Sequence, residues 1–392
     1  VNVLIVLIWL WLTLLITFVG VPCFYYLYLR KISSRDWGLK IDKNYLPTVT
    51  VIVPMHNEEK VIRLKLENLA ALDYPRDKLQ ILLVNDGSTD NTLKEVSDFT
   101  KNSTLDFTVI NFGSQCGKTV ALNNALKYAN GEIVIVSDSD AFLATDILLK
   151  TMLFFADSSI GAIISREELI QPETSWISET EKVYFDLVYG TIKLGESKLH
   201  STIMFHGGFA AYRKSILEKF NVETDDTGTA LDIVQKGKRT IMVPDAVSYC
   251  FEFSDWKDKF NIKVRRATHN IKTWTRCLRL LLEGKLLLPK KIVIPEIFLY
   301  MFEPCIFLAF LIVSVMLMSY SSLLILIFVL LTAALLLKKK TRMLLCEVVQ
   351  NNCFLLVAIL SVVIGRQVIR WKTAQSPRAV ITRETLKNLE LI

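Results

Sequence analysis

Residues 3–29 are an apolar run broken only by Thr13, Thr17, Gly20 and Pro22. A bilayer-spanning helix needs about 20 such residues, so the run is long enough to cross. No basic stretch precedes it and no small-residue cleavage site follows, which reads as an anchor rather than a cleaved leader. Arg30, Lys31 and Arg35 come next, and the excess of cations on the cytosolic side of membrane proteins places that end in the cytosol. Three more apolar spans lie at about 292–317, 319–337 and 344–365. Lys338, Lys339, Lys340 and Arg342 are expected to be cytosolic, which fits two passes after a cytosolic domain. The last span carries Glu347, Gln350, Asn351 and Asn352 and is followed by Arg366, Arg370 and Lys372. A full crossing would leave those cations outside. Either that span is re-entrant or interfacial, or the number of passes differs.

Between these ends, residues 45–285 are mixed in polarity and punctuated like an α/β domain. The chain as a whole is 52% hydrophobic, with a mean hydropathy of +0.37, too apolar for an ordinary soluble enzyme. At 22% charged it is also too polar for a pure transporter. The net charge of +7 fits a domain lying on anionic lipid or handling phosphates, and the positive-inside bias accounts for much of it. Seven cysteines with no Cys-x-x-Cys pairing indicate neither a disulfide framework nor a zinc site, as suits a reducing compartment. Val1 reads as a literal GTG start, from which a prokaryotic gene is expected.

Strand and helix patterns alternate through the middle. Thr48–Val53, Leu79–Val84, Phe107–Asn111, Ile133–Val136, Gly161–Ser165 and Thr240–Val243 read as strands, the last stopped by Pro244. Helices are expected at 57–72, 91–99, 119–128, 146–155 and 227–235, with a long amphipathic segment at 175–195. Short loops between alternating elements predict a mostly parallel sheet covered on both faces. From 253 to 290, Trp256, Phe260 and Trp274 are interleaved with Lys257, Lys259, Lys263, Arg265, Arg266 and Lys272. A basic amphipathic stretch with aromatics fits helices in the membrane interface. Nucleic acid could be bound by the same composition, but an apolar span follows at once and favours the membrane.

The strand Ile133–Val136 ends in Ser137-Asp138-Ser139-Asp140. Open α/β sheets bind ligands at strand carboxyl ends. Two carboxylates there suit Mg²⁺ or Mn²⁺ held with substrate phosphates. Gly117-Lys118-Thr119 lacks the earlier glycine of a P-loop, because position 112 is Phe112.

The order Pro54-Met-His-Asn57-Glu58, Asp86-Gly-Ser-Thr-Asp90, Gly117-Lys118, Asp138-Ser-Asp140, Gly207-Gly208, Thr224-Asp225-Asp226 and Lys263-Val-Arg265-Arg266 resembles the family 2 glycosyltransferases, in their membrane-embedded branch. The likeness runs from about Val51 to Arg266. It implies an α/β fold of the GT-A type, a nucleotide-sugar-binding domain in the cytosol flanked by transmembrane helices. The implied layout is a membrane helix at 1–29, the catalytic domain at 45–252, interfacial helices at 253–290, a membrane region at 291–372 and a tail at 373–392.

By that resemblance Asp226 is the general base. Pro54, Asn57, Glu58, Asp86, Lys118, Asp138 and Arg266 bind the donor, and Gly207, Gly208 and Asp225 lie on the acceptor side. Asp138 and Asp140 hold Mg²⁺ or Mn²⁺. His206 either touches the diphosphate or metal, or is a buried or capping residue. The implied partners are a nucleotide-diphosphate sugar, most simply a UDP-sugar, a polysaccharide or lipid acceptor, and membrane lipids, with no nucleic acid. The expected location is the plasma membrane, with the catalytic domain cytosolic.

One departure bears on the acceptor. Processive members carry Gln-x-x-Arg-Trp, and here the matching residues are Lys263, Val264, Arg265, Arg266 and Ala267. The stacking ring is missing unless Trp256 or Trp274 replaces it. A growing polysaccharide, a polyprenyl phosphate and a glycolipid all stay open as acceptors. A rival from another class is a non-catalytic scaffold on a decayed domain, against which the intact acidic set speaks.

Overall fold

A computed structural model describes residues 3–101, 103, 105–170, 176–253, 255–320, 336–365, 375–378 and 380–392. Most of the expected span 319–337, and Arg366, Arg370 and Lys372, lie outside the described residues.

Eight strands form one sheet: β1 (Val49–Met55), β2 (Leu79–Asp86), β3 (Phe107–Phe112), β4 (Ile133–Val136), β5 (Ala141–Leu143), β6 (Ile160–Ile170), β7 (Ala210–Arg213) and β8 (Arg239–Phe251). Their order is β3-β2-β1-β4-β7-β6-β8-β5. The first four are parallel, as expected. The second half is mixed: β6 and β8 are parallel, so most pairings are parallel as expected, but β7 runs antiparallel to both β4 and β6, and β5 antiparallel to β8. The physical reason is connection length. Parallel pairing of successive strands needs a crossover of a dozen or so residues. Only Ser137–Asp140 joins β4 to β5, so β5 turns away and pairs elsewhere.

The β1 side chains alternate between two cores. Ile52 packs with Leu82, Val84, Val134 and Val136 on one face. Val51 and Val53 pack with Leu83 and Ile135 on the other, the period of two that a doubly covered sheet requires.

Two local expectations are also corrected. The helix expected from residue 57 begins only at Ile62, because Asn57 adopts φ +56° and Glu58 and Glu59 stay in the preceding loop. Pro244 does not stop its strand. The pairing of β6 with β8 jumps from Ser165–Val243 to Arg166–Val247, so Pro244 bulges out where it owes the ladder no N–H.

The helices in chain order are α1 (Val3–Ser33), α2 (Ile62–Ala70), α3 (Thr92–Thr100), α4 (Lys118–Ala125), α5 (Ile147–Met152), α6 (Trp176–Tyr184), α7 (Gly190–Leu199), α8 (Asp225–Gln235), α9 (Trp256–Leu282), α10 (Lys290–Ile297) and α11 (Glu303–Met318). A widened turn, Phe185–Tyr189, joins α6 to α7, and another, Phe298–Phe302, joins α10 to α11. The helices Val3–Ser33, Lys290–Met318 and Lys339–Val363 are long and apolar enough to cross a membrane. The protein is thus integral to a membrane, with its α/β domain on the cytosolic side that Arg30 and Lys31 mark.

The apolar helices and the α/β domain share a core. Trp274 of α9 and Ile292 and Val293 of α10 pack into the same cluster as β1 and β4. Helix α1 crosses α7 so closely that a Cβ at Gly195 would lie 2.6 Å from Leu29 Cβ. Trp11 donates to Ser314 across α1 and α11 at 2.8 Å. Helix Lys339–Val363 instead follows α9 and α6. Its buried Glu347 accepts from Lys259 at 3.0 Å and from Thr180 at 2.9 Å, and its Ala358 meets Ala267 and Ile271.

The stretch expected to be a tail is docked. Ile381, Leu386 and Leu391 are buried against Val61, Phe142 and Phe251, and Asn68 donates to the Leu391 carbonyl at 2.8 Å. This C-terminal arm brings Arg378 to the carboxyl ends of the strands.

Candidate active site

The carboxyl ends of the parallel strands β1, β2 and β4 open toward one side. There a pocket of about 400 Å³ is lined by Pro54, Glu58, Lys118, Asp138, Asp140, Gly207, Gly208, Asp225, Asp226 and Arg266, ten of the twelve expected site residues. They come from six separate stretches of chain.

The Asp138–Asp140 turn is held from behind by hydrogen bonds. Ser137 donates to the Gly208 carbonyl at 2.8 Å and Ser139 to the Pro54 carbonyl at 2.7 Å. Fully buried Lys65 donates to Ser137 Oγ at 2.7 Å and to the Ala141 carbonyl. Burial pushes the Lys65 ammonium down to about 7 against the pull of Asp138 and Asp140. Gly207 is a steric requirement, because a Cβ there would lie 2.1 Å from Asp138 Oδ2.

Lys118, first residue of α4, bridges Asp138 at 2.9 Å and Asp225 at 3.2 Å. Burial would lower its pKa, yet Asp138, Asp226 and Asp225 hold it well above the ordinary lysine value. At the start of α8, Asp226 is pushed up to about 7 by burial and by Asp225 beside it. Asp225 goes the other way: burial opposes, but Lys118 and His269 hold it low. Arg266 faces the open pocket from α9, its guanidinium kept charged by Glu167 and Glu181 against burial.

Two expected residues stand behind the pocket wall. Asp86 is fully buried, and its two carboxylate oxygens accept from the Cys116 and Gly117 N–H groups at 2.7 and 2.9 Å. It thereby holds the loop ahead of Lys118. Gly87 lets that loop pass, since a Cβ there would lie 2.5 Å from Gln115 N. Asn57 accepts from Thr89 N at 2.8 Å and ties the β1 and β2 loops together. Trp256 and Trp274 do not line the pocket. Trp274 is buried and stacks on Tyr300 at 6.0 Å, while Trp256 lies against Phe354.

Arg378 was not legible in the sequence. Its guanidinium donates two hydrogen bonds of 2.6 Å to the Glu58 carboxylate and lies 3.1 Å from Asp140 Oδ2, from 320 positions along the chain. Nothing in the Ser-Pro-Arg stretch marks it. Glu167, on β6, was also missed. It sits at the far end of a longer strand than the apolar run 161–165 suggests.

Asp138 and Asp140 offer hard oxygen donors, the set Mg²⁺ or Mn²⁺ takes. Each is met here by a cation, Lys118 or Arg378. Among the described residues no third carboxylate, histidine or cysteine completes a cage, so substrate oxygens would have to supply the rest. The residues fit a metal shared with a diphosphate.

A GT-A-like α/β domain flanked by long apolar helices is what this fold defines. Residues 50–220 match the family model Glycosyl transferase family 2. The mannosyltransferase PcManGT from Pyrobaculum calidifontis, solved in complex with GDP-Man and Mn²⁺, matches with a TM-score of 0.78 and 29% identity, over 92% of this chain and 100% of that one. The beta-monoglucosyldiacylglycerol synthase of Nostoc sp. is 34% identical over 126 residues, 32% of this chain and 27% of that protein. The poly-beta-1,6-N-acetyl-D-glucosamine synthase of Staphylococcus epidermidis is 25% identical over 195 residues, 50% of this chain and 46% of that protein. The chain spans about half the length of the curated relatives it matches.

Proposed function

We propose that the protein is an inverting, metal-dependent glycosyltransferase that moves one sugar from a nucleotide-diphosphate sugar to a hydroxyl of a membrane-borne acceptor at the cytosolic face. The observation that carries this reading is one pocket holding Asp138, Asp140, Lys118 and Asp226, against helices that enter the membrane. In the reaction the acceptor oxygen attacks the anomeric carbon, the bond to the diphosphate breaks, and the acceptor proton passes to Asp226. A carboxyl raised to about 7 is a stronger base than an ordinary aspartate and is still ionised near neutrality. Asp138 and Asp140 would hold the divalent ion, which when bound offsets charge on the leaving diphosphate. Lys118 and Arg266 bring further positive charge to the same place.

The donor nucleotide is a UDP-sugar by motif resemblance, while the neighbour of 29% identity was solved with GDP-Man. A test panel therefore contains both. The acceptor is a lipid. The matching stretch has Ala267 where processive synthases carry tryptophan, and neither Trp256 nor Trp274 lines the pocket. The 34% identity to a lipid glucosyltransferase agrees. A second reading, a processive synthase, is favoured by the likeness to the poly-N-acetylglucosamine enzyme. We place helix Lys339–Val363 in the interface along α9, since it packs mainly on α6 and α9 and the arm beyond it is back on the catalytic domain. We also place the protein in the plasma membrane.

The test is turnover in phosphatidylcholine nanodiscs with Mn²⁺ and radiolabelled UDP- and GDP-sugars. Asp226→Asn should lose transfer by about a thousandfold while donor affinity stays within a few-fold, general-base removal typically costing that order. A labelled lipid is the expected product, and a size ladder would select the processive reading. Full transfer by the variant would remove Asp226 as base. No nucleotide diphosphate released from any donor would leave a binding scaffold.

A further inference from the structure

Helix α2 breaks its own pattern at two positions. Its buried face is Ile62, Lys65, Leu66, Asn68 and Leu69, the spacing of a stripe that packs against a core. Ile62, Leu66 and Leu69 fill that stripe with apolar side chains and join the core around β1 and β2. Lys65 and Asn68 do not, and both are fully buried. A buried ammonium is unfavourable unless it is paired or hydrogen-bonded. Lys65 makes no ion pair among the described residues. The two carboxylates whose charge reaches it, Asp138 and Asp140, are paired instead with Lys118 and Arg378.

The hydrogen bonds of Lys65 go to the turn that carries those two carboxylates. Its Nζ donates to Ser137 Oγ at 2.7 Å and to the Ala141 carbonyl, one on each side of Asp138 and Asp140. Ser137 extends the chain of contacts by donating to the Gly208 carbonyl at 2.8 Å. One turn further along α2, Asn68 donates to the Leu143 carbonyl and accepts from the Leu143 N–H, both at 2.8 Å. Strand β5 ends the sheet and pairs only with β8, so side chains of α2 take the place of a second strand beside it. A lysine suits the task, because its three N–H groups at the tip of a long stem serve two acceptors from one point. Asp138 and Asp140 carry like charge, which by itself drives them apart. Fixing the backbone on both sides of them opposes that.

We propose that Lys65 is a positioning residue for the divalent-ion site: it fixes both ends of the turn 137–141, so that Asp138 and Asp140 are held ready for the ion. This rests on the metal reading above. Lys65 does not line the pocket and acts through the turn alone.

The test uses the full chain in phosphatidylcholine nanodiscs, with Mn²⁺ as the probe and UDP or GDP present. Uptake of the ion is read from the loss of the free-ion paramagnetic resonance signal, and backbone hydrogen exchange is followed over residues 137–143. Lys65→Met keeps most of the stem and removes the donors. Its Mn²⁺ affinity should fall roughly tenfold to a hundredfold, the usual effect of losing a partner that orients a metal ligand. Exchange over 137–143 should quicken, while nucleotide binding in EDTA and the melting midpoint should move little. Unchanged Mn²⁺ affinity in Lys65→Met overturns the proposal. An equal fall of nucleotide binding in EDTA also overturns it, because the damage is then to the pocket as a whole. Should Lys65→Met not fold, Lys65→Gln, which keeps a buried donor of shorter reach, is read by the same criteria. If the wild-type protein takes up no Mn²⁺ with either nucleotide, the metal reading fails instead. Exchange over 137–143, compared between wild type and variant, then still decides whether Lys65 holds the turn.

Discussion

Removing Arg378 should destabilise the protein by an amount that grows with pH. The guanidinium is 6% exposed and Glu58 2%, joined by two 2.6 Å hydrogen bonds, so the pair is buried. Deleting one partner of such a pair costs roughly 3–5 kcal/mol when the other must stay charged. Glu58 does not have to. Burial already pushes its pKa up to about 7 even though Arg378 draws it down. A carboxyl raised on folding takes up a proton, and the stability this contributes is complete below the ordinary carboxyl range and lost as pH rises through the folded value. In Arg378→Ala the downward pull is gone and that value climbs further. At pH 6 Glu58 is then protonated and the loss is small. At pH 9 it must ionise unpaired or unfold, and the loss approaches about 3 kcal/mol, a midpoint shift of roughly 6–12 °C. Thermal unfolding of the purified chain in nanodiscs, followed by tryptophan fluorescence at pH 6 and pH 9, reads both. Equal shifts at the two pH values, or none at either, would refute the reasoning.

Three further outcomes follow from the same site. Because Asp226 must be ionised to act as base and burial with Asp225 raises it to about 7, kcat/KM should rise with pH through that value, and a flat profile down to pH 5 would exclude it. Asp140→Ala should abolish the Mn²⁺ dependence of donor binding in calorimetry, whereas unchanged Mn²⁺-stimulated binding would remove the metal assignment. Gly207→Ala puts a methyl where Asp138 Oδ2 lies, so activity should fall about a hundredfold or more for a misplaced catalytic group while the melting midpoint moves little. A wild-type rate would show that the carboxylate moves aside freely.

Much of the site was legible because its parts sit at strand ends. Asp138 and Asp140 follow an apolar run, and local pattern locates them without tertiary knowledge, while Lys118 and Asp226, at the starts of helices, were reached through the order of motifs. Arg378 and Glu167 had no such marker. Arg378 follows a proline in the stretch after the last apolar span, and Glu167 lies beyond the visible apolar core of its strand. Each becomes part of the site by long-range packing, which hydrophobic period does not encode. The sheet divides the same way. The parallel order β3-β2-β1-β4 follows from strands alternating with helices, but β5 and β7 turn antiparallel through short or irregular connections whose path depends on the rest of the fold.

The sequence by itself determined that this chain is anchored in a membrane, that a doubly covered α/β domain follows the anchor, and that acidic residues gather at its strand ends. Those properties rest on length, periodicity and residue type, which act locally. Tertiary structure alone decided that Trp256 and Trp274 stay away from the pocket and that the supposed tail docks to bring Arg378 onto Glu58 and Asp140. It also brought Glu167 and His206, from separate parts of the chain, to the same pocket. Those outcomes depend on which surfaces meet when distant segments pack, and burial then sets which groups keep their charge.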